Sequence, residues 1–246
     1  FDKSLQVFAE VMIPPPDAEY GIISDIDDTV IKTAATNILA MGKTVLLANA
    51  RTRLPFAGVS EFYKALQLGR NGKRNNPLFY VSSSPWNMYD LLKDFLDLNK
   101  IPEGPIMLRD IGFGGGTKLR GGHMGHKFKE IKQILEAYPN LQFVLVGDSG
   151  QEDPVIYREV VKQFPGRILT IYIRDVQLPD REKIAIDVSK SLFEDKVEMI
   201  ILDNTVEAAE HAAKIGLIYT EAIPAIEEEK KEDKGEIPGK EDATVI

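Results

Sequence analysis

The chain has 246 residues, 43% of them hydrophobic and 28% charged, the proportions of an ordinary globular domain with one sizeable core or a core and a small appendage. It contains no cysteine, which excludes a disulfide framework, a cysteine zinc site and a cysteine nucleophile. A formal net charge of −8 excludes a general nucleic-acid grip, and no apolar run approaches the roughly 20 residues that span a bilayer.

In chain order, residues Leu5–Ile13 read as a leading strand stopped by Pro14-Pro15-Pro16. Apolar strands then alternate with amphipathic helices. The strand Tyr20–Ser24 is followed by a helix near Val59–Leu68, and the strand Pro77–Ser82 by a helix over Asn87–Leu98. A short strand near Pro105–Leu108 precedes a helix over His126–Tyr138. The strand Leu141–Gly147 leads into a helix over Pro154–Phe164, and Arg167–Ile173 is a further strand. Val197–Leu202 and Val206–Ile215 form a last strand–helix pair. Near-continuous apolar strands separated by helices of this length are βαβ units. The fold class is therefore α/β, with a mainly parallel, Rossmann-like sheet covered on both faces. Between Val30 and Pro77, and between Asp110 and His126, there is room only for small insertions, so no large cap domain is expected.

Residues 1–222 read as a single domain, with a catalytic core at 20–176 and an extra strand–helix unit at 196–218. Residues 223–246, highly charged from Glu227 onward, read as a linker or disordered tail. Gly112–Gly122 reads as a mobile glycine-rich loop. Arg109, Lys118, Arg120 and His123 around it are candidates for a lid over an anionic substrate. The chain is expected to be cytoplasmic. Because it starts at Phe1, a removed upstream segment stays open.

In an open α/β sheet, ligands bind beyond the carboxyl ends of the strands. Here those ends deliver Asp25-Ile26-Asp27-Asp28-Thr29, Ser82-Ser83-Ser84-Pro85 and Gly147-Asp148 through Asp153, while His126-Lys127 opens a helix. A calcium loop does not fit, since its obligatory glycine position is Val30 and its closing glutamate position is Thr36. Acids, a hydroxyl and an amine on one edge are the inventory for phosphoryl transfer to an aspartate. Asp25 can attack phosphorus and split one hard hydrolysis into two steps. Asp25 and Asp148 are hard oxygen ligands suited to Mg²⁺. Asp27, on the same side as Asp25 by strand alternation, can protonate the leaving oxygen and later deprotonate water. Ser82 can hold phosphoryl oxygens and Lys127 adds a fixed positive charge. Ser83, Trp86 and Asn87, beside the serine run, are candidate substrate contacts.

These residues resemble the four motifs of the haloacid dehalogenase superfamily. The strings Ile23–Val30, Phe79–Asn87, Gly125–Lys127, Leu145–Tyr157 and Ile171–Val176 resemble more narrowly the catalytic domain of the actin-patch phosphatidate phosphatase family of fungi and its bacterial relatives. The resemblance covers roughly Met12 to Val176. It implies a Mg²⁺ held by Asp25, the backbone carbonyl of Asp27 and Asp148, with Asp153 supporting the metal or its waters. It also implies a phosphomonoester hydrolase acting through an aspartyl-phosphate, with a phospholipid at a membrane surface as the favoured substrate. The same chemistry on a soluble phosphomonoester or phosphoprotein is the alternative. A phospho-accepting signalling module is a further one, disfavoured because no strand between Asp28 and Ser82 offers an acceptor. Protein partners are not indicated.

Overall fold

The computed structural model describes residues 11–27, 29–30, 56–110 and 122–235. Six strands form one sheet: β1 (Gly21–Ser24), β2 (Leu78–Pro85), β3 (Ile106–Arg109), β4 (Phe143–Asp148), β5 (Ile168–Arg174) and β6 (Glu198–Leu202). Every pairing is parallel and the order is β3-β2-β1-β4-β5-β6. Around it lie α1 (Val59–Leu68), α2 (Tyr89–Leu98), α3 (Gly122–Ala137), α4 (Asp153–Gln163), α5 (Pro179–Ser191), α6 (Thr205–Lys214) and α7 (Ile223–Asp233). This is the expected α/β architecture, and no separate cap domain is present among the described residues.

Strand alternation divides the core into two apolar layers. Ile22, Leu78, Tyr80, Val144 and Val146 face α1, α2, α6 and α7, while Ile23, Phe79, Val81, Phe143 and Leu145 face α3, α4 and α5. Burial on both faces explains why the strands read as continuous apolar runs rather than alternating ones. The chain lays β2 and β3 to one side of β1, then returns to place β4 on the other. This order reversal opens a crevice between the carboxyl ends of β1 and β4. The register Ser24↔Val146 brings Asp25 and Asp148 to that crevice.

The structure differs from the sequence reading in three places. The leading strand lies mostly outside the described residues, and its described end, 11–13, is not strand; Val11 and Ile13 are exposed. The run Pro14-Pro15-Pro16 has no N–H groups to offer a ladder. A helix not expected from the sequence, α5, occupies Pro179–Ser191; it buries only Ala185 and Val188, too few positions for a clear helical period. The third difference is the tail, where residues 223–233 form a docked helix. Most of the glycine-rich loop, and the positions Lys118 and Arg120, lie outside the described residues.

The docking of α7 has a specific physical cause. Helix α1 begins after Gly58, a residue at φ 80° that has no side chain to cap the free N–H groups of the first turn. Two carboxylates of α7 do so instead. Gly58 N donates to Asp233 Oδ2 at 2.9 Å and Glu61 N donates to Glu229 Oε2 at 2.8 Å. Negative charge at a helix amino end is favourable, and Ile226, fully buried, anchors the contact. A side chain at position 58 has no room, because a Cβ would lie 2.7 Å from Thr205 Oγ1 and 2.9 Å from the Ile226 carbonyl.

Burial pushes the Glu229 carboxyl up to about 7, with Asp233 and Glu61 adding to the effect and the Glu61 N–H and Lys64 opposing it. A folded-state value above the ordinary one means that burial, outweighing the cap's preference for the charged form, favours the protonated carboxyl, a contribution to stability fully present below the ordinary carboxylate range. That contribution is lost as pH rises through about 7. The melting temperature of the wild type is therefore expected to fall between about pH 5 and pH 8 by more than that of Glu229→Gln, as read by circular dichroism at matched ionic strength. Parallel pH profiles for the two proteins would contradict this.

Candidate active site

Four strand and helix ends converge on the crevice. Ser24 closes β1, and its hydroxyl lies 2.7 Å from the Tyr63 hydroxyl of α1, which ties the end of the strand to the helix. Asp25 follows, 1% exposed, its N–H donating to the Val146 carbonyl of β4 at 2.9 Å. Thr29 Oγ1 reaches Asp25 Oδ2 at 3.5 Å.

Lys127 enters from the first half of α3 and is as buried as the acids that it meets. Its ammonium donates to Asp153 Oδ1 at 2.6 Å and lies 2.9 Å from Asp25 Oδ1, a contact of ionic character whose angles do not make a hydrogen bond. Asp153 opens α4 ahead of Pro154, and its Oδ2 accepts the Asp148 N–H at 3.3 Å. This approach requires glycine at 147, where a Cβ would stand 2.6 Å from Asp153 Oδ2. Asp148 is fully buried, and its Oδ1 accepts the Gly150 and Gln151 N–H groups at 2.7 and 3.0 Å.

Asp25, Asp148 and Asp153 each offer an oxygen within 4.8 Å of the others. In an octahedral Mg²⁺ site with bonds of about 2.1 Å, opposite ligands stand about 4.2 Å apart. The spacing and the all-oxygen donor set therefore fit such an ion. Charge points the same way: three buried carboxylates against one ammonium leave two formal negative charges, which a divalent cation balances. Burial holds the Asp25 carboxyl well above the ordinary carboxylate range, with Lys127 opposing this and Asp153, Asp148 and Asp27 adding to it. Burial also works against the charge on Lys127, but Asp153, Asp25 and Asp148 outweigh it and hold the ammonium above its ordinary range.

Asp27 stands apart from these three acids. Its Oδ2 accepts hydrogen bonds from Ser82 Oγ at 2.8 Å and Ser84 Oγ at 2.9 Å, and Ser84 N donates back to Ser82 Oγ at 2.9 Å. The Ser82 hydroxyl thus has a partner that the sequence reading did not assign to it. Ser84 was not singled out at all. Its signal was present, because β2 continues to Pro85 and alternation puts residues 82 and 84 on one face. Ser83 points the other way; it is buried, and its hydroxyl has no hydrogen-bond partner. His126 is a second polar group missing from the candidates. It is 8% exposed, its Nε2 has no partner, its ring is hydrogen-bonded to the Ser82 backbone, and burial lowers its basicity.

Trp86 and Asn87 are not part of this cluster. Both are exposed, and Trp86 stacks on Tyr89. Trp86 lines a groove of about 560 Å³ that runs along α2 to Leu78 and Ile106, at the amino ends of β2 and β3. This hollow is the larger of the two described here but leads away from the buried acids.

An acid–amine cluster at the topological switch point of a parallel α/β sheet lies where such folds bind their ligands. The catalytic-domain family of phosphatidate phosphatase APP1 matches residues 20–175, and the chain belongs to it. The chain is 36% identical over 155 residues to phosphatidate phosphatase APP1 of Saccharomyces cerevisiae and 33% identical over 158 residues to an uncharacterised protein of Schizosaccharomyces pombe. Each match covers 63% of this chain and 25% of the relative.

Removing the central cation tests the charge balance. Lys127→Met leaves buried carboxylates facing one another, and is expected to cost about 3–5 kcal/mol of stability without divalent ions. Mg²⁺ should restore part of that loss. Urea unfolding with EDTA and with Mg²⁺ measures both; an unchanged midpoint in EDTA would show that the pair carries no such weight.

Proposed function

We propose that this chain is a Mg²⁺-dependent phosphomonoester hydrolase of the haloacid dehalogenase type that works through an aspartyl-phosphate, an acyl phosphate formed on Asp25. The observation that carries this reading is the Lys127 ammonium held between Asp25 and Asp153, with Asp148 alongside, at the carboxyl ends of β1 and β4. Asp25 and Asp148 would hold the ion, together with the backbone carbonyl of Asp27, and Asp153 would support it. When bound, the ion supplies charge that screens the attacking carboxylate from the phosphate dianion.

The protein's own groups then perform two displacements. An Asp25 carboxylate oxygen forms a bond to phosphorus as the bond from phosphorus to the substrate alcohol oxygen breaks, and Asp27 gives its proton to that leaving oxygen. In the second half Asp27 takes a proton from water, which attacks the phosphoryl group. Inorganic phosphate leaves and the Asp25 carboxylate is regenerated. Ser82 and Ser84 both converge on Asp27 Oδ2, which orients the carboxyl and leaves Oδ1 to carry the proton. Lys127 fixes Asp25 in place and offsets charge on the phosphoryl oxygens. Ser83, with its unpartnered hydroxyl, is the serine of the run still able to donate to substrate.

The name of the yeast relative points to phosphatidate, a lipid phosphomonoester, and we extend that substrate class to this chain. Among the described residues no helix is long and apolar enough to cross a membrane. Activity on p-nitrophenyl phosphate and phosphatidate, with Mg²⁺ or EDTA, tests the proposal. Turnover should require the metal, and Asp148→Asn should lose about 10²–10³-fold in kcat while keeping its fold. A folded Asp148→Asn protein with wild-type turnover, or full activity in EDTA, would refute the metal assignment.

A further inference from the structure

Beside the buried acids, on the α1 side of the sheet, is a second cavity of about 150 Å³. It opens at the same strand ends as the catalytic cluster and shares a wall with it: Thr29 lines the cavity and also reaches Asp25 Oδ2. Val146 lines it too, two residues before Asp148 on β4. Its floor is apolar, formed by Phe62 of α1 and Leu202 at the end of β6, with Phe56 at one side.

The rim is cationic, although the chain as a whole is acidic. Among the described residues, Arg174, Lys230 and Lys234 line the cavity together with one carboxylate, Asp203. The Arg174 guanidinium lies over the face of the Phe56 ring. Lys230 Nζ donates to Asn204 Oδ1 at 3.1 Å, a neutral acceptor, and an ammonium has two further hydrogens to donate. Lys230 comes from α7, the helix whose carboxylates cap α1, and Lys234 is the residue that follows it. The docking of this helix thus completes the cavity.

We propose that this cavity is the subsite for the alcohol part of a glycerolipid phosphomonoester, an assignment that rests on the phosphatase reading above. The carbons next to the phosphate lie on Phe62 and Leu202, and ester carbonyl oxygens accept hydrogen bonds from Lys230 and Arg174. The space suits the glycerol carbons and their ester groups but not long chains, which continue outward past the rim. A substrate with apolar carbons and acceptor oxygens a few bonds from its phosphate meets both features of the cavity. A bare polyol phosphate has hydroxyls in place of the ester carbonyls and no acyl carbons, so it gains little from either.

The test compares kcat/KM for dioctanoyl phosphatidate, glycerol 3-phosphate and p-nitrophenyl phosphate in the full chain with Mg²⁺. The double variant Lys230→Met/Lys234→Met should lower the ratio of phosphatidate to p-nitrophenyl phosphate by about tenfold, mainly through KM. Its ratio of glycerol 3-phosphate to p-nitrophenyl phosphate should move by less than about threefold. Ala208→Leu, which fills the cavity from α6, should shift the phosphatidate ratio in the same direction. Melting curves check that each variant is folded. A phosphatidate ratio unchanged in both variants overturns the subsite, as does an equal loss on glycerol 3-phosphate. A wild type that hydrolyses p-nitrophenyl phosphate but not phosphatidate also overturns it, and leaves the phosphatase reading standing. A wild type inactive on all three substrates overturns that reading as well.

Discussion

The site depends on one buried ammonium. Lys127 lies between Asp25 and Asp153, with Asp148 alongside. Burying three carboxylates so close together is costly, and one cation only partly offsets it. The structure bears this cost by spreading the acids over three chain segments held by the sheet. Asp25 is fixed through its N–H to β4, Asp148 through the N–H groups of the following turn, and Asp153 by its place at the start of α4. The remaining negative charge is the physical reason for expecting a divalent ion there.

The sheet order brings these segments together. Because the chain reverses direction of travel between β1 and β4, residues more than 100 positions apart become neighbours at Ser24↔Val146. A third strand, β2, contributes the hydroxyls that orient Asp27. The two carboxylates of the D-x-D pattern therefore have separate surroundings. Asp25 is enclosed with other acids and one ammonium, whereas Asp27 is held by two neutral donors. Two acids with different environments can perform different chemistry. On the proposed reading, one attacks and the other moves protons.

Much of this was legible in the sequence, for physical reasons. Strands buried on both faces must be apolar at nearly every position, so Gly21–Ser24 and Phe143–Asp148 stood out together with the acids that follow them. Asp25, Asp27, Lys127, Asp148 and Asp153 lie near the crevice at strand ends or on the first turns of a helix, and Ser82 in the second half of β2 reaches Asp27. The sequence was less informative where a segment is held by few apolar contacts. Helix α5 buries only two residues, and α7 only Ile226. The acids of α7 serve as caps for a helix some 170 residues earlier, and no local pattern reveals so distant a partner. Ser84 lies beyond Ser82, where the apolar run of β2 gives way to serines, so the apolar pattern does not reach it. The burial of His126 arises only from the packing of α3 on β2, which no local pattern reveals.

The central claim is that Asp25 forms a bond to phosphorus. Acid-quenched protein, taken during turnover of an activated phosphomonoester with Mg²⁺ and digested for mass spectrometry, tests it most directly. The Asp27→Asn variant, which keeps the nucleophile and lacks the group that activates water, is the form in which the intermediate should accumulate. A phosphate is expected on the peptide containing Asp25, absent when Asp25 is replaced by Asn. A phosphate on Ser82 or Ser83, or turnover by Asp25→Asn at the wild-type rate, would contradict it.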